Sequence, residues 1–349
     1  MRIAVDVMGG DFGCGVIVEG VKRALHADKG KVRALYLVGE QEQIRAAMHT
    51  ARLRDDRVSI VHASEVLTMH DRPVDGLRRK PDCSILRAVE LLKEGKADAL
   101  ISAGNTGGVV AAATIKLRPL AGVDRPGIAT VIPAPQNYFV LLDAGANLEC
   151  RPIHLAHYAI MGAVYSREIL GYKNPRVGLL NVGTEDIKGN ELTQEAFKLC
   201  KRAHINFIGN VEGHDLFANR VDVVVCDGFV GNVVLKTCES LATGIFVWLK
   251  NELTMNPKRM IGALLVRGAL RAIRHRLDPD AYGGMPLLGL NGNVMIMHGS
   301  ARERAVMNAI RVATETFRSH LNEIIIREIE RANELFFCKK PAVEATALA

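Results

Sequence analysis

The chain is poor in tryptophan, has no paired cysteines and carries no nucleotide fingerprint, and each absence removes a class of function. One Trp and 5% aromatic residues leave its basic side chains without the interleaved stacking partners of a single-stranded nucleic-acid platform, so nucleic acid is not an expected partner. The seven cysteines (Cys14, Cys83, Cys150, Cys200, Cys226, Cys238 and Cys338) are odd in number and nowhere form Cys-x-x-Cys. That suits reduced thiols and neither a zinc knuckle nor a disulfide frame. Neither Gly-x-Gly-x-x-Gly nor Gly-Lys-Ser/Thr occurs, which removes the dinucleotide fingerprint and the P-loop. Met1–Arg2 runs straight into Ile3–Ala4–Val5, leaving no room for a signal peptide, and no apolar run reads as long enough to span a bilayer. A cytoplasmic protein is expected.

What the chain does have is a recurring device, an apolar run that stops at a small polar residue followed by glycine. It appears at Asp6–Gly10, Ser102–Gly108, Asp143–Asn147, Asn181–Glu185 and Cys226–Asn232. Four to eight consecutive apolar residues fit a strand buried on both faces, the parallel-sheet pattern. Glycine directly after it lets the backbone turn tightly and approach a ligand. Ligands of open α/β sheets bind beyond the carboxyl ends of strands, so these ends can line one crevice. With 349 residues, 48% of them apolar, and a net charge of +7, an anion-holding cleft is the expectation.

Strand-like runs at Ile3–Val7, Leu35–Val38, Val58–Val61, Ala99–Ser102, Val177–Leu180, Phe207–Ile208, Val221–Cys226 and Val294–Met297 alternate with helical spacings. Ile128–Ile132 and Val140–Leu142, joined across Pro133–Asn137, read as an antiparallel excursion. The fold class is therefore α/β, with a mixed, mainly parallel sheet sandwiched by helices. We expect a single large unit over residues 1–333, a protruding basic amphipathic helical segment at 245–282, and a tail at 334–349. A capping box of Ser300 and Glu303 is expected to open a long helix running to about Asn333.

Individual residues leave alternatives open. Gly104 to Gly108 either presents helix N-terminal amides to a phosphate or carboxylate, with Asn105 and Thr106 adding donors, or merely permits a tight turn. Asp227 either orients a ligand or caps the next helix. Lys188 is a phosphate clamp or a solvated lysine, and His298 a general base or a structural hydrogen-bonder. The acids at Asp6 and Asp11 do not make a magnesium site. The Arg72–Lys80 segment reads as a basic loop.

Taken together, Met8–Asp11, Ser102–Gly107, Asp143–Asn147, Asn181–Glu185, Cys226–Asn232, Pro286–Gly292 and His298–Ser300 closely resemble the bacterial acyl-acyl-carrier-protein:phosphate acyltransferases, the PlsX family of phospholipid synthesis. The motifs run in order from Met1 to about Ala313. Departures are modest: Cys14–Gly15 where relatives tend to have Ala-Pro, Pro81 in the basic run, and Ser240 for a common glycine. The resemblance implies a usually dimeric fold similar to phosphotransacetylases and isocitrate/isopropylmalate dehydrogenases. It also implies transfer of a fatty acyl group from the thioester of acyl carrier protein to inorganic phosphate, without cofactor or metal. The acyl phosphate passes to the downstream glycerol-phosphate acyltransferase at the inner face of the membrane.

Phosphate is its own nucleophile, so the protein has to position it and to stabilise an oxyanion. On this reading Ser102, Asn105, Thr106 and Gly107, with Lys188, hold phosphate. Asn181 or Asn232 donates to the oxyanion, and Asp227 orients the site. Met285, Leu287, Leu288, Asn291 and His298 receive the acyl chain or thioester arm. Leu264, Leu265, Arg267, Arg271 and Arg274, read on one helix from Met255 to Leu277, meet an anionic membrane, the carrier protein or a second subunit. The rivals are a phosphotransacetylase using a CoA thioester, a decarboxylating dehydrogenase and a non-enzymatic membrane scaffold.

Overall fold

A computed structural model describes residues 1–27 and 30–337. In chain order the elements are β1 (Arg2–Asp6), α1 (Cys14–Ala27), β2 (Ala34–Gly39), α2 (Gln41–Ala51), β3 (Val58–His62), α3 (Pro73–Arg79), α4 (Ser84–Lys93), β4 (Ala99–Ser102), α5 (Thr106–Leu117), β5 (Gly127–Pro133), β6 (Tyr138–Leu142) and α6 (Pro152–Glu168). There follow β7 (Val177–Leu180), α7 (Glu191–Cys200), β8 (Phe207–Val211), β9 (Val223–Val225), α8 (Gly228–Thr254), α9 (Pro257–Leu265), α10 (Arg267–Arg276), β10 (Met285–Leu288), β11 (Asn293–Ile296), α11 (Glu303–Arg318) and α12 (Leu321–Phe337).

All the strands join one 11-stranded sheet in the order β3-β2-β1-β4-β11-β10-β5-β6-β9-β7-β8. Strand pairing is parallel from β3 to β11, antiparallel at β11–β10, β10–β5 and β5–β6, and parallel again from β6 to β8. The period of two along each strand divides its side chains between cores. Ile3, Val5, Ile101 and Met295 face α1 and α11, while Ala4, Leu100 and Val294 join Ile85 and Val109 on the other side. In β6, Leu141 packs into that second core, and Val140 and Leu142 join a third with α6, α7 and α12. Residues His154 to Ser166 of α6 are all buried, so this helix shows no polar face.

Several expectations are revised. Met285–Leu288, expected in a glycine-rich loop, is strand β10, with Leu287 and Leu288 buried in the middle of the sheet. The basic segment at Arg72–Lys80 contains helix α3. The Ser300–Glu303 capping box does not form: Arg302 occupies the cap position without a side-chain cap bond, and Ser300 bonds His298 instead. The carboxyl-terminal helical stretch, for which a break is an open alternative in the sequence, is indeed interrupted between Arg318 and Leu321, where His320 takes a left-handed conformation (φ 53°). Residues 334–337 of the expected tail belong to α12, and 338–349 lie outside the described residues.

Helix α8, 27 residues long and so about 40 Å, is apolar enough by length and composition to cross a bilayer (mean hydropathy 1.2), contrary to the expectation that no stretch is. Beyond Leu235 none of its residues is buried, and none of α9 or α10 is either. The segment read as one helix is two, broken at Val266, so Leu264 and Leu265 sit on α9 and Arg267, Arg271 and Arg274 on α10. This arm exposes Trp248 (65%) and Leu265 (83%). Its return is latched by Arg304, which donates to Asp278 at 2.9 Å and meets His275 at 2.7 Å.

Because Leu141 is fully buried at the centre of the sheet, Leu141→Ala is expected to cost about 2–5 kcal/mol in denaturant unfolding. A loss below about 1 kcal/mol would contradict so tightly packed a centre.

Candidate active site

The antiparallel strands reverse the direction of the sheet, so the carboxyl ends fall into two groups. β1, β4 and β11 end together, and β6, β9 and β7 end together. β4 and β9 are five strand positions apart, about 24 Å at ordinary spacing. Helix α8 joins the groups. It starts at the end of β9, and by Lys236, about 12 Å along its axis, it has reached the second residue beyond β11. There Lys236 Nζ lies 2.5 Å from His298 Nε2.

In the first group a fully buried carboxylate organises the strand ends. Asp6 accepts from Ser102 Oγ at 2.6 Å and from the Met8 amide at 3.1 Å. Burial pushes its pKa up, against the opposing hydrogen bond from Ser102. Ser102, expected among the phosphate ligands, is therefore buried and committed; it also accepts from the Gly104 amide at 3.0 Å. Gly9 has to be glycine, since a Cβ there would lie 2.3 Å from the Gly104 nitrogen. Asn105 is the cap of α5, accepting from Gly108 at 2.9 Å. Its amide group donates to the Thr68 and Asp71 carbonyls at 3.0 and 3.1 Å. Its side chain is thus also committed, which leaves the amides of Thr106 and Gly107 without a hydrogen-bond partner among the described residues.

The loop covering Asn105 is tied down by charge. Asp71 accepts from Lys80 at 2.6 Å and from the Thr68 amide and hydroxyl at 2.7 and 2.8 Å, which together hold its carboxyl far below the usual range. Asp82, bound by the Ser64 hydroxyl and amide and by Arg87, is held at about 2. On the other flank, the Gly299 carbonyl accepts from the Asp11 amide at 2.8 Å, which docks the His298–Ser300 turn against Gly10 and Asp11. His298 Nδ1 is 2.7 Å from Ser300 Oγ, and Lys236 also binds Glu239 at 2.8 Å.

The second group repeats the device. Asp143, buried, accepts the amides of Ile128, Gly145, Ala146 and Asn147 at 2.8–3.1 Å and the Asn147 side chain at 3.0 Å. Burial again raises its pKa against those bonds. Asp227 caps α8, accepting from Phe229 and Val230 at 3.0 and 2.9 Å. Gly231 approaches Asp143 so closely that a Cβ would fall 1.9 Å from its carbonyl oxygen. Asn232 is exposed beside Gly145, one helical turn before Lys236. Asn181 closes its own loop, accepting from Val182 at 2.8 Å and donating to the Lys188 carbonyl at 3.0 Å. Among the described residues, the exposed Lys188 ammonium has only Glu185 as an ion-pair partner, at 3.9 Å.

The structure therefore places Thr106, Gly107 and His298 in the first group of strand ends and Asn181, Lys188, Asp227 and Asn232 in the second. Asn291 donates to the Pro119 carbonyl at 2.8 Å, and Leu287 and Leu288 are core; of the expected acyl-site residues of β10, only Met285 is half-buried. Lys236, Glu239 and Ser300 were not among the expected site residues. Ser300 stands in the His298–Ser300 motif, but its expected role is a helix cap; Lys236 and Glu239 carry no local signal, because Lys236 and His298 lie 62 residues apart. All six described cysteines are free, and burial pushes each thiol up: Cys14 and Cys150 to about 11, Cys200 to about 12, and Cys83, Cys226 and Cys238 in the same direction.

The depressed pKa values carry a pH expectation. The stability contributed by Asp71 and Asp82 is present above their unfolded value of 3.8 and is lost as pH falls through the folded one. Hydrogen exchange in residues 64–82 should therefore accelerate between pH values of about 4 and 2, ahead of the sheet. Equal protection of this segment at both ends of that window would refute the assignment.

Comparison with known proteins places this geometry. Residues 1–324 match the family model described as fatty acid synthesis protein. A phosphate acyltransferase of Desulfitobacterium hafniense is 48% identical over 95% of this chain and 98% of its own. That of Pelotomaculum thermopropionicum is 47% identical, over 95% of each. Among solved structures, a phosphotransacetylase from Streptococcus pyogenes superposes with a TM-score of 0.63 at 15% identity, covering 91% of this chain and 94% of that one. A branched-chain phosphotransacylase from Enterococcus faecalis gives 0.57 at 15% identity, over 90% and 99%. These two establish the shared fold. By its matched length and by its identity to these relatives, the chain belongs to the fatty acid synthesis protein family of phosphate acyltransferases.

Proposed function

We propose that the protein transfers a fatty acyl group from the thioester of acyl carrier protein to inorganic phosphate, releasing acyl phosphate and the carrier thiol. The observation that carries this is the amino-terminus of α5, where the Thr106 and Gly107 amides have no hydrogen-bond partner among the described residues, at the strand-end group formed by β1, β4 and β11. Helix N-terminal amides and the positive end of the helix dipole favour a phosphate dianion. Held there, a phosphate oxygen attacks the thioester carbonyl. The C–O bond forms, the tetrahedral intermediate collapses, the C–S bond breaks, and the sulfur leaves as thiolate to take a proton.

No covalent acyl-cysteine is needed. The raised thiol pKa values of the described cysteines disfavour the thiolate that such a route requires. Lys188 and Asn181, in the second group of strand ends, are better suited to the donor side of the reaction than to the phosphate, because α5 and its free amides belong to the first group. A CoA-dependent phosphotransacetylase shares this fold; the exposed apolar arm favours a long acyl chain and a carrier over a short soluble acyl-CoA. On the same grounds, the arm is our candidate for contact with an anionic membrane. Leu264 and Leu265 supply apolar area, and Arg267, Arg271 and Arg274 supply charge. Such contact would keep a cytoplasmic enzyme at the inner membrane face, near the acyltransferase that consumes acyl phosphate.

Thr106 is the first residue of α5, and its predecessor Asn105 is extended (ψ 109°), so proline fits there and deletes one amide without breaking the helix. Thr106→Pro should raise KM for phosphate about tenfold or more, measured as acyl phosphate released from acyl carrier protein thioester, while Lys188→Ala leaves that KM within about threefold. The reverse order would move phosphate to the second group of strand ends. Leu265→Glu, at an 83% exposed position, should abolish binding to anionic vesicles with the melting temperature unchanged. Retained binding, or a shift from dimer to monomer instead, would reassign the arm to a subunit interface.

A further inference from the structure

The Lys236–His298–Ser300 chain is the polar network that the phosphate-site reading leaves unused. Lys236 Nζ is 2.8 Å from Glu239 Oε2, an ion pair that requires the ammonium, and 2.5 Å from His298 Nε2. An ammonium has three donors and no lone pair. Nε2 must therefore accept, the ring proton must sit on Nδ1, and Nδ1–H then donates to Ser300 Oγ at 2.7 Å. The Ser300 amide N–H is also directed at Nδ1, at 3.2 Å; a neutral ring accepts at one nitrogen only, so of the two contacts the longer one, to the amide, is the one that yields.

This polarity has a chemical consequence. With its Nε2 lone pair occupied by the lysine, His298 is not placed to take the proton of Ser300, and Ser300 is not an activated nucleophile despite its histidine. With a lone pair of Oγ filled by Nδ1–H, the hydroxyl hydrogen is directed elsewhere. Ser300 is exposed, and its turn is docked on Asp11 and Gly10 next to the strand end that leads into α5.

We infer that Ser300 is a catalytic hydrogen-bond donor to the oxyanion of the tetrahedral intermediate, and that Lys236 and His298 are positioning residues that fix the direction of its hydroxyl. This rests on the acyl-transfer reading above. In the step itself, phosphate adds to the carbonyl carbon, and the carbonyl oxygen gains the electron pair and accepts the Ser300 hydrogen bond. The oxygen pair then re-forms the C=O bond as the C–S bond breaks, and the C–S pair leaves with the sulfur as thiolate. Ser300 neither gains nor loses a proton. A preset donor of this kind is worth ~10²–10³ in kcat at other acyl-transfer sites.

Two measurements separate this from a structural role. In kinetics, Ser300→Ala should lower kcat about 100-fold with KM for phosphate nearly unchanged. Lys236→Met should lower kcat through the same donor, and Lys236→Arg should restore part of it. Lys236→Met added to Ser300→Ala should then have no further effect. Nitrogen NMR of the His298 ring should show the Nδ1–H tautomer in the wild type and its loss in Lys236→Met. Additive single effects, a Ser300→Ala enzyme of wild-type kcat, or an Nε2–H tautomer in the wild type would each overturn the inference. A wild-type protein that releases no acyl phosphate overturns the acyl-transfer reading instead, and the role of Ser300 with it.

Discussion

The direction of the strands is the constraint on which the rest of the structure depends. Three consecutive antiparallel pairings, β11–β10, β10–β5 and β5–β6, divide a sheet that is otherwise parallel. Without them all the glycine-rich strand ends would share one edge. With them the ends form two groups, and the right-handed twist, roughly 100–125° over five strand positions, keeps the groups from pointing directly apart. Helix α8 then connects them: Gly231 lets it lie against Asp143 in one group, and Lys236 reaches His298 in the other. The same helix continues past its last buried residue, Leu235, into the exposed arm. The two groups of strand ends, the Lys236–His298 contact and the apolar arm are thus coupled through a single element.

Each group is built around a buried aspartate. Asp6 gathers Ser102 and the Met8 amide, and Asp143 gathers four amides and the Asn147 side chain. Burial disfavours both charges, and the converging donors offset part of that cost. A carboxylate held this way fixes the backbone that follows it, which is how a flexible glycine loop becomes a rigid rim. Asn105 works similarly with its amide, clamping α5 to the Thr68–Asp71 turn while leaving the first amides of the helix uncovered.

Much of this was legible in the sequence, and the exceptions have physical causes. Apolar runs ending in glycine marked β1, β4, β6, β7 and β9 because both faces of those strands are buried. β10 was missed because it is only four residues long, contains Pro286 and is flanked by glycines, so its pairing with β5 and β11 is visible only in the assembled sheet. Gly228 and Gly231 read as a turn, whereas in the fold they are helical glycines demanded by contact with Asn147 and Asp143. Ser102 and Asn105 do stand at the carboxyl end of β4, but their side chains are committed to the loop itself, which only the assembled fold shows. Lys236 carried no local signal, since its meaning lies in a partner 62 residues away.

The central claim is that phosphate binds at the amino-terminus of α5, held by backbone amides and served by the His298–Ser300 turn. A crystal structure of the protein with phosphate and a non-hydrolysable acyl carrier thioester tests it most directly. The account requires the phosphate within hydrogen-bonding distance of the Thr106 and Gly107 nitrogens, with the thioester carbonyl oxygen on Ser300. Phosphate found instead on Lys188 and the Asn181 loop, with the α5 amides bare, would contradict it.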